Sequence, residues 1–333
     1  MSTVSVNLMG GLGNQLFQLF TAIAVAFDNN IMFFFIDKKQ LGDGIGCTAR
    51  YTFFDTFLSS LQPFIRAQLF PNMRVVTERS FRYSPINISS SLSSKEDNHI
   101  LLYGYFQSAK YFDKYKEKLF QMIQLEEKKN DVKKAFMNCQ ICVKNDLKIE
   151  IDTDIEQLYS DSIKETDIVE ECVCDCSSAF DKEMSKTISI HFRLGDYKKA
   201  QHYHPILNLN YYINSIKHIL SNMESDSINR VLYFCEEEDI EYVSISISIL
   251  QKQFKDIHFV RCSDELADWQ QMLLMSMCAH NIIANSTFSW WGAYMNQREG
   301  RIVCYPNVWF GPNIEHDVRD LLDVPGFVEI ENK

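Results

Sequence analysis

The sequence predicts an α/β protein made of two Rossmann-like domains that face each other across a cleft. Three observations carry that expectation. The chain opens on a strand–loop–helix–strand unit, which implies a parallel sheet covered by helices. The same alternation returns from Thr187 and runs nearly to the end. Between the two lies a polar, acidic stretch, residues 126–186, with weak periodicity. At 333 residues the chain is too long for one small core and suits two domains, set at 1–186, insertion included, and 187–333.

In the first domain Val4–Met9 reads as a short apolar strand, Gly10–Asn14 as a tight loop, and Gln15–Phe27 as a helix. Asp28-Asn29-Asn30 stops the helix, and Ile31–Ile36 reads as one fully buried strand ending at Asp37. Ile100–Phe112 (ILLYGYFQSAKYF) is a strand running into an aromatic-rich turn. Within 126–186, EEKKNDVKKAF has the pattern of an exposed helix, and the remainder reads as an insertion or linker. In the second domain Ile188–His191 is a strand and Asn208–Met223 an amphipathic helix, with Tyr211 toward the core and Tyr212 toward the cleft. RVLYFCEE and DIHFVRC are strands flanking a helix over Ile240–Phe254. LADWQQMLLMSMCAH is a helix whose Met/Leu face belongs to the core. NIIAN is a strand, STFSWWGAYMNQ a loop entering a helix, and RIVCYP the last strand.

Composition narrows the function. A hydrophobic fraction of 46% is that of a globular protein. The net charge of −11 lacks the basic footprint of a nucleic-acid binder, although a few arginines and backbone N–H groups can still hold an anion locally. MSTVSVNLMGG has no secretory leader pattern, and no apolar run approaches the roughly 20 residues that cross a bilayer. A cytoplasmic protein without a transmembrane segment is expected, compatible with a peripheral position at a membrane. Of ten cysteines, Cys139-x-x-Cys142 and Cys172-x-Cys174-x-Cys176 raise zinc. That spacing fits a structural knuckle poorly and no histidine is near, so reduced surface thiols are the simpler reading.

Three stretches carry chemistry. In MGGLGNQLF, Gly10, Gly11 and Gly13 precede a helix start, and Asp37 follows at the next strand end, which invites a dinucleotide-binding reading. The third fingerprint position is Leu16, where helix and strand need a small residue. Asn14 and Gln15 add amide side chains where a helix N-terminus favours oxygen-rich or anionic groups. In HFRLGD, His191, Arg193 and Asp196 stand at a strand end, where open α/β sheets bind ligands; Arg193 can grip a phosphate through two parallel N–H bonds. A buried Arg–Asp pair holding the loop is the bland alternative. In NSTFSWWGAYMN, Ser286, Thr287, Phe288 and Ser289 bring hydroxyls and free N–H groups to a helix start. Helix capping explains either serine alone, and Trp290-Trp291 suits a core. Asn285-Ser286-Thr287 is also a glycosylation sequon.

MGGLGNQLFQLFTA, YGYFQSAKYF, HFRLGDY and NSTFSWWGAYM, in that order and spacing, resemble the inverting α-1,2-fucosyltransferases of glycosyltransferase family 11. The likeness spans most of the chain, with 126–186 least familiar. It implies a GT-B fold, a GDP-β-L-fucose donor, a galactose-containing glycan acceptor, inversion at the anomeric carbon, no cofactor and no required metal. The family's mid-chain motif is commonly H-x-R-R-x-D; His191, Arg193 and Asp196 match it, and Leu194 replaces the second arginine. Arg193 inherits the pyrophosphate contact, with Gly10, Gly11, Gly13, Asn14, Gln15, His191, Ser286, Thr287, Phe288 and Ser289 around the donor. Asp268 stands where relatives place a carboxylate that reads the nucleoside, with Asp264 its close competitor. Asp196 or His204 is the candidate base. Animal relatives carry an amino-terminal Golgi anchor, and this sequence is more similar to bacterial or viral forms. Three other readings stay open: an NAD-type oxidoreductase built on Gly11, Gly13 and Asp37; a non-catalytic sugar-nucleotide binder, hinted at by Leu194; and a transferase of another GDP-sugar.

Overall fold

Apolar β1 (Thr3–Val6) is buried along its whole length and leads to α1 (Leu12–Asn29), which returns the chain to β2 (Met32–Phe33), parallel to β1. Asn30 ends α1 in the left-handed conformation (φ 51°), which asparagine tolerates well. The computed structural model describes residues 2–38, 41, 50–88, 98–137, 173–224 and 227–332, with backbone alone for 173–177. The apolar run at 31–36 is not one buried strand. It divides between β2, whose Met32 is 54% exposed, and β3 (Phe35–Ile36), which pairs with β4 (Ile65–Arg66) in a separate ribbon. One apolar hexapeptide thus serves two sheets. With β5 (Arg74–Thr77) and β6 (His99–Tyr103), the first sheet has the parallel order β2-β1-β6-β5.

After β6 come short turns, α2 (Lys116–Met122) and α3 (residues 125–137). The exposed helix expected here has a buried side instead: Val132 and Phe136 are in the core, and the Phe136 ring meets Phe180 of α4 (Val173–Met184) at 5.9 Å. Cys139, Cys142 and Cys172, and the side chains of Cys174 and Cys176, lie outside the described residues.

The second sheet is built from β7 (Thr187–His191), β8 (Arg230–Phe234), β9 (His258–Arg261), β10 (His280–Ile282), β11 (Val303–Pro306) and β12 (Phe327–Ile330). Its order is β12-β11-β10-β7-β8-β9, every pair parallel. The chain winds outward from β7 to β9, then returns to β10 on the other side, giving a doubly wound sheet with a switch point between β7 and β10. β12 lies beyond RIVCYP, the expected last strand, because a four-residue edge strand offers too little alternation to stand out. Connecting helices are α5 (Leu209–Ser221), α6 (Ile240–Gln253), α7 (Asp268–Met275) and α8 (Thr287–Tyr294), followed by the short α9 (Arg319–Leu322). The architecture is the expected GT-B type. No helix among the described residues is long and apolar enough to cross a membrane.

The two halves share a core. Trp290 and Trp291 of α8 are fully buried, and Phe17 of α1 packs against both at 4.5 and 4.9 Å. Trp291 donates its indole N–H to the Gly13 carbonyl at 2.8 Å, and Trp290 donates to the Leu321 carbonyl at 2.8 Å. Tyr211 is in the core as expected, donating to the Ile283 and Cys304 carbonyls at 2.5 and 2.9 Å. Tyr212 is not at the cleft: it is 4% exposed, packs on Phe192 and donates to the His191 carbonyl.

Candidate active site

Both sheets aim their carboxyl ends at one cleft of about 700 Å³. The loop after β1 contributes Gly10, Gly11, Gly13 and Asn14, and the loop after β6 contributes Gln107. From the second sheet come Arg193 and Asp196 after β7, Glu236 after β8, and Asn285, Ser286, Thr287 and Phe288 after β10. Each sheet places its ligand-facing loops where strand order reverses, which is where open α/β sheets leave a crevice.

Arg193 is the centre of charge. Its guanidinium, 16% exposed, pairs with Asp196 and with Glu236, and lies 5.0 Å over the Tyr197 ring. Gly195 makes this possible: it has φ of 33°, and a Cβ there would come 2.6 Å from the Glu236 carboxylate. The Gly195 N–H donates to buried Asp239 at 2.9 Å, and Asp239 also pairs with Lys198. Among the described residues Glu236, Glu238 and Asp239 lie close enough to share a cation, but Glu236 and Asp239 already hold cationic side chains.

The two histidines are neutral for the same reason. Burial, reinforced by the Arg193 charge, holds His191 at about 3, and its ring packs on Phe288 at 5.5 Å. Burial also lowers His204, against the pull of Asp196. Its ring stacks on Tyr197 at 4.7 Å, and Tyr197 donates its hydroxyl to the Asn285 carbonyl at 3.1 Å. Asn285 is 2% exposed and its amide donates to the carbonyls of Pro205 and Trp309, so the sequon is closed to a glycan.

Ser286 caps α8, accepting from the Phe288 N–H at 3.3 Å. Thr287 donates to Asn14 Oδ1 at 3.0 Å, and the same oxygen accepts from Gln107 Nε2 at 2.9 Å, so three segments meet on one amide. The first-turn N–H groups of α1 have no intrahelical acceptor, and no side chain caps them at Gly11. Two expected site residues are turned elsewhere. Gln15 donates to the carbonyls of Gly10 and Tyr51, fixing the loop from behind. Ser289 bonds the Ser286 carbonyl and the Ala284 N–H and is 1% exposed. Neither lines the cleft.

Asp264 and Asp268 part company. Asp264 makes two bonds of 2.6 Å to Arg261. Asp268, in the first turn of α7, is exposed at the cleft and has no hydrogen bond or ion pair among the described residues. Asp37 accepts from Thr52 and lies outside the cleft, which removes the ribose carboxylate of the dinucleotide reading. Sequence reasoning missed Arg50, Gln107, Tyr197, Glu236, Trp309 and Phe310, all of which line the cleft. For Glu236 a signal existed, since it follows the second strand of a Rossmann-like unit.

The sequence model of glycosyl transferase family 11 matches residues 3–313. The chain is 26% identical over 325 residues, 93% of each protein, to an alpha-1,2-colitosyltransferase of Escherichia coli. It is 34% identical over 134 residues to the Escherichia coli O-antigen biosynthesis glycosyltransferase WbnK, covering 39% of this chain and 41% of that one. Among solved structures, a mutant of Arabidopsis thaliana FUT1 in complex with GDP aligns with TM-score 0.46 and 11% identity over 98% of this chain and 73% of that one. The fucosyltransferase NodZ from Bradyrhizobium aligns with TM-score 0.38 and 12% identity over 87% and 91%. With the family match running through both walls of the cleft, from Gly10 to Phe310, the chain belongs to glycosyltransferase family 11.

Proposed function

We propose that the protein transfers L-fucose from GDP-β-L-fucose, with inversion, to a galactose-type hydroxyl of a glycan, forming an α-1,2 linkage in the cytoplasm. The observation that carries this reading is the Arg193 guanidinium, desolvated and held at the carboxyl end of β7 in a cleft whose opposite wall is the open N-terminus of α1. As the glycosidic bond breaks, negative charge builds on the departing diphosphate while the sugar becomes oxocarbenium-like. A fixed cation and N–H donors stabilise that charge without reorganising. Asp268 suits the guanine edge, where N1–H and the 2-amino group both donate. The residues do this without a metal or cofactor in the scheme, so product formation is expected to withstand EDTA.

The acceptor hydroxyl attacks from the face opposite GDP, and its proton goes to a base. Asp196 offers a carboxylate already paired with Arg193 and Arg50; His204 offers a neutral ring. A second reading changes only the sugar: a relative matched along 93% of this chain is named an alpha-1,2-colitosyltransferase, and colitose is fucose without its 3-hydroxyl. Incubation with GDP-fucose, GDP-colitose and GDP-mannose plus a β-galactoside, read by mass spectrometry, tests both. A fucosylated product carrying an α-1,2 linkage is expected. GDP binding with no product from any donor would leave a non-catalytic binder instead.

A further inference from the structure

We infer that Arg50 is a second phosphate-binding cation, reaching the donor diphosphate from the N-terminal half of the cleft. This rests on the nucleoside diphosphate donor proposed above. Among the described cleft-lining residues only Arg50 and Arg193 carry a full positive charge, against the carboxylates of Asp196, Glu236, Glu237, Asp264 and Asp268. Arg193 is already shared by Asp196 and Glu236, so its immediate surroundings are net negative before any donor arrives. Leu194, the next residue, is 3% exposed and adds no charge. A diphosphate entering here needs another cation, and Arg50 is stationed to supply it.

Its Nη2 lies 3.7 Å from Asp196 Oδ2, while Arg193 holds Asp196 Oδ1. One carboxylate therefore collects guanidinium groups from both halves of the molecule. The Arg50 backbone is pinned by reciprocal bonds to Leu41, 3.0 and 2.6 Å, and the next residue, Tyr51, accepts from Gln15 of α1. The side chain is 39% exposed and its partner 49%, so this ion pair adds little to stability. What it does is keep a cation in reach of the cleft. On donor binding, Arg50 exchanges its long contact to Asp196 for hydrogen bonds to phosphate oxygens, while Asp196 keeps its bond to Arg193.

Titration calorimetry with GDP on the wild type, Arg50→Ala and Arg50→Lys tests the inference, with thermal melting as the folding control. The Ala variant is expected to bind GDP at least about tenfold more weakly, the usual scale for losing a charge-assisted bond, and the Lys variant to recover part of it. Phenylglyoxal labelling of the wild type, mapped by peptide mass spectrometry, gives an answer that needs no variant: GDP should slow modification of both Arg50 and Arg193. A folded Arg50→Ala protein binding GDP within about twofold of wild type overturns the inference. So does an Arg50 that labels equally fast with GDP while Arg193 is shielded; both results leave the glycosyl-transfer reading standing. If the wild type neither binds GDP nor protects Arg193, the functional reading falls and this inference with it.

Discussion

Arg193, the proposed contact to the donor diphosphate, already has two carboxylates in hand, Asp196 and Glu236. Those partners hold the fork in place and must share it when phosphate arrives. If it stabilises the leaving group as proposed, Arg193→Ala should lower turnover by roughly 10²-fold or more in a steady-state assay. A variant that kept near-wild-type turnover would end the assignment. On the proposed reading Asp268 reads the other end of the donor. Asp268→Ala should weaken GDP by about tenfold or more, and should erase the preference for GDP over inosine diphosphate, which lacks the 2-amino group. Equal GDP/IDP selectivity in variant and wild type would remove its role in base reading. Arg193 was visible in the sequence because it closes an apolar strand where open sheets bind ligands, whereas Asp268 was singled out only through the family resemblance. Arg50 was not visible, because it gains its meaning only from Asp196, a partner brought close by the fold; Glu236 left only its place after a strand as a trace.

At the scale of elements, the crossing of α1 and α8 decides what the glycine loop is for. A Cβ on Gly13 would come 2.5 Å from the Thr287 backbone, so this glycine exists to let two helices touch. Gly13→Ala should destabilise by about 1–3 kcal/mol in urea unfolding as the helices are forced apart. Gly11, at φ −77° with open space for 4 Å around the position a methyl group would take, should accept alanine with a change under about 0.5 kcal/mol. Equal costs at both sites would refute this division of roles. The long helices were readable from their apolar spacing, and the loops at both switch points from their polar residues. What spacing does not reveal is which way a terminal residue turns: Gln15 and Ser289 have the right chemistry but bond to backbone behind the cleft. Nor does an apolar run disclose that it will be divided, as residues 31–36 are between β2 and β3.

Across the whole molecule, two buried imidazoles tie stability to pH. Burial, then the Arg193 charge, holds His191 at about 3; burial, then Arg298, holds His280 at about 4. His280 Nδ1 also accepts the Ile302 N–H at 3.0 Å, a bond that protonation would break. The unfolded chain takes up these protons near pH 6.5 and the folded chain does not, so acid favours unfolding. Stability should be level with respect to these groups above about pH 6.5. It should then fall by up to about 1.4 kcal/mol per pH unit for each ring as the pH drops toward about 4. Urea midpoints across that interval check this, and His280→Gln should flatten the slope; a pH-independent midpoint would refute it. Two-domain α/β organisation could be read from alternating patterns, but the β12-β11-β10-β7-β8-β9 order could not, because strand neighbours are chosen by crossovers that leave no periodic trace.

The aromatic seam has a consequence for turnover. Parting the halves would wet Phe17, Trp290 and Trp291 together and break the indole bond to Gly13, a far greater penalty than moving a side chain or a surface loop. The seam therefore predicts a slot of nearly constant width. On that expectation, admission would turn on guanidinium and carboxylate groups trading partners at its lip rather than on a jaw that opens and shuts.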